Sequence, residues 1–282
     1  MRRRPAAPAL WRRQLRRPVL YLLLSLAALF YLLPIYVLVI TSLKSPDQAV
    51  QDRIWALPDG LHFLSYVQAF ARLSPNFLNT VWLVVPGTVI SAVVGSINGY
   101  ILAKWRFRGA DQLFTFLLFG MFVPYQAVLI PLIRFLQLIG LYNHIAGLVL
   151  VHVIYGIPIT TLIFRNFYAN IPDAVVEAAT IDGAGILGIY RYIAFPLSLP
   201  SFVVVGIWQF TSIYNEFLFA VTVTGAGQQP IMVAVQNLAG SQVVQWNLQM
   251  AGALEAAIPT MLVYVLMGRW FIRGLLAGAV KG

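Results

Sequence analysis

The amino-acid sequence predicts an all-α integral membrane protein with six transmembrane helices. Of its 282 residues, 60% are hydrophobic and only 10% are charged, which leaves too few charged side chains to cover a soluble protein of this size. Six separate apolar runs each contain about 20 or more residues, enough to cross roughly 30 Å of hydrocarbon. Since lipid offers no hydrogen bonds to an open backbone, we expect every run to be helical.

The predicted elements follow one another in a simple order. A basic tail (1–18) precedes the first span (19–43), which is too long for a signal peptide and lacks a small-residue cleavage site. An external loop (44–74) follows, with a short interfacial helix near 61–71. The other spans are predicted at about 77–103, 112–133, 146–168, 199–222 and 249–270, with a cytoplasmic tail at 273–282.

The distribution of basic residues predicts the orientation. With the amino terminus inside, fifteen of the nineteen Lys and Arg residues fall in cytoplasmic segments, seven of them in the first 18 residues. The opposite orientation would place those fifteen outside, against the bias of positive charge toward the cytoplasm. Both termini and the long segment between the fourth and fifth spans are therefore expected in the cytoplasm, and the net charge of +10 needs no nucleic-acid partner.

The stretch from residue 170 to 196 is the longest helix-competent sequence outside the spans. Pro172 suits a first helical turn, and Asp173 places negative charge at the positive end of the helix dipole. Gly183 supplies a left-handed stop. We therefore predict a helix at about 172–181, a sharp bend, and a second helical piece ending before Pro196.

One face of that first helix is suited to contact with another protein. Ala174, Ala178 and Ile181 recur at helical spacing and form an apolar stripe, with Glu177 beside it. Such a small-residue surface fits a groove on a partner. The alternative is a helix that rests on the bilayer surface, which would not need the glycine and proline at these spacings.

This stretch resembles the EAA signature of ABC importer permeases. The matching residues are Glu177, Ala178, Ala179, Asp182, Gly183, Ile193 and Pro196, with Phe195 where the family usually has Leu. We call residues 169–198 the EAA segment. A second Glu-Ala-Ala run begins at Glu255, but it lies inside an apolar span and has Met261 at the glycine position.

Residues 75–282 also resemble the permease core of carbohydrate importers, in particular the second permease subunit of maltose-type systems. The resemblance rests on Phe77-Leu78-Asn79-Thr80, on Pro124 and Pro131, and on the ending from Gly274 to Gly282. It implies a type I permease fold, with the permease core at 75–272, in the plasma (inner) membrane of a bacterium or archaeon. The sugar implied is loosely a monosaccharide such as glucose or mannose.

The resemblance further implies a set of partners and a mechanism. A second permease subunit completes the pathway, an external solute-binding protein delivers the sugar, and a pair of ATP-binding subunits holds ATP and Mg²⁺. The EAA segment then acts as a lever that the ATPase moves, with bends at Gly183 and Pro196. No cofactor is expected on this chain itself, since it has no GxxxxGK[ST] loop.

Polar residues inside predicted spans are candidates for the transport pathway, because they are costly in lipid and are usually functional. Glu216 and Glu255 are expected at similar depth, roughly 9 Å from the outer ends of their spans. A mixture of aromatic, amide and carboxylate groups suits a sugar. The full set of candidates is Asn98, Gln126, Gln209, Tyr214, Asn215, Glu216 and Glu255.

Other classes of function receive less support. The chain has no Cys, no HExxH sequence and no clustered His, so we predict neither a metal site nor a catalytic constellation. A stand-alone secondary transporter would favour internal repeats, and none is evident. A permease for a polyol or a glycerol phosphodiester remains the alternative within the same family.

Overall fold

The computed structural model describes residues 10–50, 53–105, 107–240 and 245–279, with the backbone alone at 10–16 and 271–279. Residues 1–9 of the predicted basic tail and 280–282 of the predicted carboxy-terminal tail lie outside the described residues. In the described ranges the chain is helical, and no β-strand is present. The fold class predicted from the sequence is therefore confirmed.

The helices follow in chain order. They are α1 (Leu10–Ser42), α2 (Leu64–Lys104), α3 (Ala110–Phe119), α4 (Tyr125–Leu138), α5 (Ile145–Ala169), α6 (Asp173–Ile181), α7 (Ile186–Leu197), α8 (Leu199–Tyr214), α9 (Leu218–Val223), α10 (Ile231–Ala239) and α11 (Trp246–Ala279).

Among the residues that the structure describes, four helices are long and apolar enough to cross a membrane by themselves. They comprise Arg17–Ser42, Leu64–Lys104, Ile145–Ala169 and Trp246–Trp270. Two further pairs pass the same test together but are bent, α3 and its 3₁₀ extension with α4 by 99°, and α7 with α8 by 73°. Counting each bent pair as one crossing gives six, which agrees with the number predicted.

Several helices differ from the predicted spans. The predicted interfacial helix at 61–71 is continuous with the second span in α2, and α11 continues through the predicted tail as far as Ala279. The predicted third span is broken, because Pro124 has no N–H to donate after the 3₁₀ turn Gly120–Phe122. The predicted fifth span is interrupted between Tyr214 and Leu218.

Close packing of α2 on α5 forms the centre of the bundle. A Cβ atom at Gly95 would overlap with Thr160, and one at Gly99 would lie 2.7 Å from Phe164 Cβ. The two helices therefore approach at positions where only glycine fits, as small residues allow between membrane helices. This contact fixes the faces of α2 and α5 that bear the polar residues described below.

Two apolar clusters stabilise opposite parts of the bundle. One contains Leu83, Leu148 and Phe219, and joins α2 and α5 to the α8–α11 region. The other contains Tyr168 and Ala179, and joins the ends of α2 and α5 to α6, α7 and α8. The EAA segment is thus packed against the spans and is not an isolated loop.

Candidate functional site

The EAA segment begins with the helix that the sequence predicts. Helix α6 covers Asp173–Ile181, directly after Pro172, against a prediction of about 172–181. Gly183 has φ of +85°, the left-handed conformation that a glycine stop requires. The main chain therefore turns sharply between α6 and α7.

A buried lysine fixes the start of α6. Lys104, the last residue of α2, lies 2.6 Å from Asp173 Oδ1 and donates to the carbonyl of Ile171 at 2.5 Å. Its side chain is only 6% exposed, so the ion pair is partly removed from solvent. These contacts tie the amino-terminal end of α6 to the end of α2.

The residues of the predicted stripe share an exposed face. Ala174, Ala178 and Ile181 are all exposed, and Ile181 is 86% exposed. Glu177 and Asp182 are exposed as well. An exposed large apolar residue within a row of small ones leaves a surface on which another protein can pack.

Ala179 does not share the exposed face of Ala178, although both belong to the EAA signature. Ala179 is 7% exposed and belongs to the inner apolar cluster with Ile171 and Ile189. Its position one residue after Ala178 rotates it by about 100° around the helix. Ala179 therefore packs α6 onto the protein's own spans.

The second piece of the EAA segment, α7, contains a π-helical turn at Tyr190–Ala194. Ile193 is half-buried against the inner cluster, and Pro196 is exposed. The bend of 73° separates α7 from α8 at Ser198, two residues after the position expected at Pro196. Pro196 lies in the last turn of α7, Phe195–Leu197, which follows the π turn, and it does not itself mark the bend.

A second candidate site is a cavity of about 290 Å³ between α5, α8 and the break in the third span. Its wall combines aromatic rings, amide, hydroxyl and carboxylate groups. The lining residues are Met121, Tyr125, His152, Tyr155, Gly156, Ile159, Trp208, Gln209, Ser212, Glu216 and Phe219.

Gln209 crosses from α8 to the α2–α5 interface. Its Nε2 donates to Ser91 Oγ and to the carbonyl of His152, each at 3.3 Å, and the residue is 3% exposed. A Cβ at Gly156 would overlap with this amide. The missing side chain at Gly156 therefore makes room for Gln209.

Glu216 lies at the interruption of the fifth span. Its two carboxylate oxygens accept backbone N–H groups from Phe219 at 2.8 Å and from Ala220 at 3.1 Å, so it caps α9. Oε2 also lies 3.6 Å from Nε2 of His152 on α5. Glu216 thus caps α9 and also lines the cavity.

The other predicted pathway residues lie elsewhere. Tyr214 is buried, and its hydroxyl donates to the carbonyl of Ala256 on α11 at 2.6 Å. Asn215 is exposed and its amide donates to Thr211 of its own helix. Gln126 is exposed near the start of α4, and Asn98 is half-buried on α2.

Glu255 does not share the cavity with Glu216, although similar depths were expected from the sequence. It lies on α11 and is half-buried, and its Oε2 has no hydrogen-bond partner among the described residues. Of the seven pathway candidates, the structure brings Gln209 and Glu216 together at the cavity.

Sequence reasoning missed most of the cavity wall. His152, Tyr155, Gly156 and Ile159 recur at i, i+3, i+4 and i+7 on α5, which places them on one face. On α8, Gln209 is followed at i+3 by Ser212, and Glu216 lies just beyond the end of that helix. These spacings were present in the sequence, but Tyr155, Trp208 and Tyr125 resemble ordinary lipid-facing or core aromatics until the helices are packed.

An irregular backbone at membrane depth is tolerated where it lines a cavity. The interruptions in the third and fifth spans both adjoin the cavity described above, at Met121 and Glu216. This arrangement is that of a membrane transport protein.

Comparison with known proteins identifies the family. Residues 93–276 match the family described as "Binding-protein-dependent transport system inner membrane component". The chain belongs to this family. It is therefore a multi-pass subunit of the inner membrane that serves transport, and it is not an enzyme.

Three relatives show how far the similarity extends. The chain is 45% identical over 268 residues to "Probable ABC transporter permease protein PH1216" of Pyrococcus horikoshii, covering 94% of this chain and 98% of the relative. It is 37% identical over 285 residues to the "Xylose/arabinose import permease protein XacI" of Haloferax volcanii, covering 93% and 92%. It is 31% identical over 281 residues to the "Glucose import system permease protein GlcU" of Saccharolobus solfataricus, covering 94% and 98%.

A solved structure supports the fold. A chain of a bacterial ABC transporter involved in the import of the acidic polysaccharide alginate matches with a TM-score of 0.80 and 22% identity, covering 95% of this chain and 100% of that chain. At that identity the similarity concerns the fold alone.

Proposed function

We propose that this chain is one of two permease subunits of a sugar importer and that it couples sugar passage to ATP hydrolysis on a separate subunit. The observation that carries the proposal is the combination of an exposed EAA helix with a polar, aromatic cavity, joined through α5 and α8. Relatives at 37% and 31% identity are named for import of xylose or arabinose and of glucose.

The cavity carries the chemistry that a sugar requires. Tyr125, Tyr155 and Trp208 supply ring faces for the C–H surface of a pyranose, and Tyr125 and Tyr155 lie edge to face at 5.0 Å. Gln209, Ser212 and Glu216 supply hydrogen-bonding groups for hydroxyls. A volume of about 290 Å³ is near the lower end of the usual range for small-molecule sites, which favours a monosaccharide such as glucose or mannose.

The charge of the cavity distinguishes between possible substrates. The described residues that line it include one carboxylate, Glu216, and neither Lys nor Arg. A phosphodiester needs cationic or N–H donors to replace its hydration, and Glu216 would repel it. An uncharged sugar or polyol is therefore favoured over a glycerol phosphodiester.

The exposed stripe of α6 supports a docking role for the EAA segment. Ile181 and Leu187, 86% and 77% exposed, flank the left-handed turn at Gly183. Glu177 beside them supplies an acidic group for a basic partner residue. In this proposal a dimer of ATP-binding subunits, carrying ATP and Mg²⁺, grips this surface from the cytoplasm, where both termini of this chain also lie.

Copurification tests the assembly. Affinity purification of this chain from its native membrane, in mild detergent, is expected to bring down a second permease and an ATP-binding subunit. Reconstituted with its solute-binding protein, the complex is expected to import sugar only when ATP is present. A homogeneous single chain that transports actively without an ATPase would overturn the proposal. Calorimetry on the cognate solute-binding protein then identifies the sugar.

A further inference from the structure

Four hydroxyl groups form a continuous hydrogen-bonded chain between α2, α5 and α7. Ser96 Oγ lies 2.6 Å from Tyr168 OH and 3.0 Å from Tyr190 OH. Tyr168 OH donates to Ser198 Oγ at 2.9 Å, and Ser198 Oγ donates to the carbonyl of Phe195 at 2.9 Å. Ser96, Tyr168 and Ser198 are completely buried, and Tyr190 is half-buried.

The chemistry of the hydroxyl group fixes the direction of this chain. A carbonyl oxygen can only accept, so Ser198 directs its single proton to Phe195 and accepts from Tyr168. Tyr168 must then accept from Ser96, and Ser96 must accept from Tyr190. Each inner hydroxyl donates one hydrogen bond and accepts one, so deletion of an inner hydroxyl removes one hydrogen bond from each of its two neighbours.

The two ends of the hydroxyl chain lie at the π turn and at the bend of the EAA segment. Tyr190 is the first residue of the π turn, and Ser198 lies at the 73° bend between α7 and α8. At the other end of α7, Tyr100 OH donates to the carbonyl of Ile186 at 3.2 Å. Helix α7 is thus bonded to the spans near its beginning, middle and end.

The helices held by this chain are also those that line the cavity. Helix α5 carries Tyr168 near its carboxy-terminal end and His152 at the cavity, and α8 begins directly after Ser198 and carries Gln209. Apolar contacts alone are non-directional and specify the register of packed helices only through the fit of their side chains. Directional hydrogen bonds in a low dielectric fix one register.

We propose that Tyr190, Ser96, Tyr168 and Ser198 are positioning residues that make α7 move as one rigid body with the ends of α2, α5 and α8. A displacement of the EAA segment then reaches the cavity wall without being lost as sliding at the α7 interface. This inference rests on the proposed function, because it assigns these hydroxyls a role in coupling. None of them is expected to contact the sugar.

The experiment uses the complete complex in proteoliposomes and measures sugar imported per ATP hydrolysed. The Tyr168→Phe and Ser96→Ala variants remove one hydroxyl each with little change in shape. We expect the ratio of sugar imported to ATP hydrolysed to fall by about fivefold or more, while ATP hydrolysis continues. A fivefold change is the lower end of the typical range for coupling between two sites. Tyr264→Phe is the matched control, since Tyr264 lies on α11 outside the EAA segment and is 48% exposed, and its ratio should equal that of the wild type.

A double variant distinguishes a linked hydroxyl chain from two substitutions that act independently of each other. Tyr168→Phe combined with Ser198→Ala removes both partners of one bond, so its ratio should be no lower than that of the worse single variant. Wild-type ratios in the single variants, even with a lower melting temperature of the complex, would overturn the inference, as would effects that multiply in the double variant. Failure of the proposed function looks different, because the wild-type complex itself would then show no ATP-driven import.

Discussion

Oε2 of Glu216 lies 3.6 Å from Nε2 of His152, across the cavity wall between the interrupted fifth span and α5. The same carboxylate accepts the N–H groups of Phe219 and Ala220. One side chain thus stabilises a break in a membrane helix and presents charge to the cavity. The interruption of the fifth span and the carboxylate proposed to bind sugar therefore depend on the same residue, Glu216.

The Glu216→Gln variant tests the role of that charge in sugar binding. The amide keeps an oxygen that can accept an N–H from α9, so we expect normal insertion and assembly. Loss of a charged hydrogen bond to a sugar hydroxyl, which contributes roughly 1.5–3 kcal/mol, should raise KM for uptake by about tenfold or more. Concentration-dependent uptake in proteoliposomes measures the change.

Glu255→Gln provides the comparison, because Glu255 is also a half-buried carboxylate of a predicted span but does not line the cavity. Its KM should remain close to that of the wild type. An unchanged KM in Glu216→Gln would remove the support for a pathway role and leave Glu216 as a helix cap.

Replacement of Glu177 tests the docking surface. Glu177 is exposed on α6, so Glu177→Ala should leave folding and insertion unchanged while abolishing ATP-driven uptake. Thr180→Ala is the control on the same helix, since the Thr180 hydroxyl donates to the carbonyl of Val176, within α6, at 2.8 Å. Pull-down of the ATP-binding subunit, together with uptake, measures both variants; equal binding and uptake in Glu177→Ala and wild type would contradict the proposal.

The turn at Gly183 permits a test of backbone geometry alone. Gly183 has φ of +85°, and a Cβ built on it has no atom of the described residues within 4 Å, so Gly183→Ala adds backbone strain without a steric clash among them. The left-handed conformation costs an L-residue roughly 1–2 kcal/mol. We expect uptake to fall severalfold at normal expression, and more with the bulkier Gly183→Leu.

Gly188→Ala serves as the control for that turn. Gly188 also belongs to the EAA segment, has no positive φ, and a Cβ there would make an ordinary contact of 3.8 Å with Ala184. Its uptake should be unchanged. If both alanine variants transported equally well, the geometry at Gly183 would not matter for coupling.

Features of the fold that depend on the chemistry of neighbouring residues could be predicted from the sequence. The start of α6 after Pro172, the left-handed Gly183 and the number of apolar crossings follow from residue type and spacing. The cavity could not be predicted in the same way, because it depends on which faces of α5 and α8 meet. Tyr214 and Glu216 are two residues apart, yet Tyr214 packs on α11 and Glu216 caps α9 at the cavity.

The contact between α2 and α5 permits a test of stability. A Cβ at Gly99 would lie 2.7 Å from the backbone nitrogen of Arg165 and 2.7 Å from Phe164 Cβ. Overpacking at such a site typically costs 1–3 kcal/mol. We expect Gly99→Ala to lower the melting temperature of the purified complex. Gly206→Ala on α8, where a Cβ would have no atom of the described part of the chain within 4 Å, should have no such effect. Equal melting temperatures of the two variants would contradict the packing argument.

The orientation predicted from the distribution of Lys and Arg is open to direct measurement, because the chain contains no Cys. A single cysteine at Leu187, which is 77% exposed in the EAA segment, should react with a membrane-impermeant maleimide in inside-out vesicles and be protected in intact cells. A cysteine at Leu57, 68% exposed in the loop after α1, should show the opposite pattern. Assembly with the ATP-binding subunit should protect Leu187→Cys from labelling and leave Leu57→Cys unaffected. Labelling of Leu187→Cys from outside would place the EAA segment beyond the reach of a cytoplasmic ATPase, and the coupling role of Glu177 would have to be abandoned.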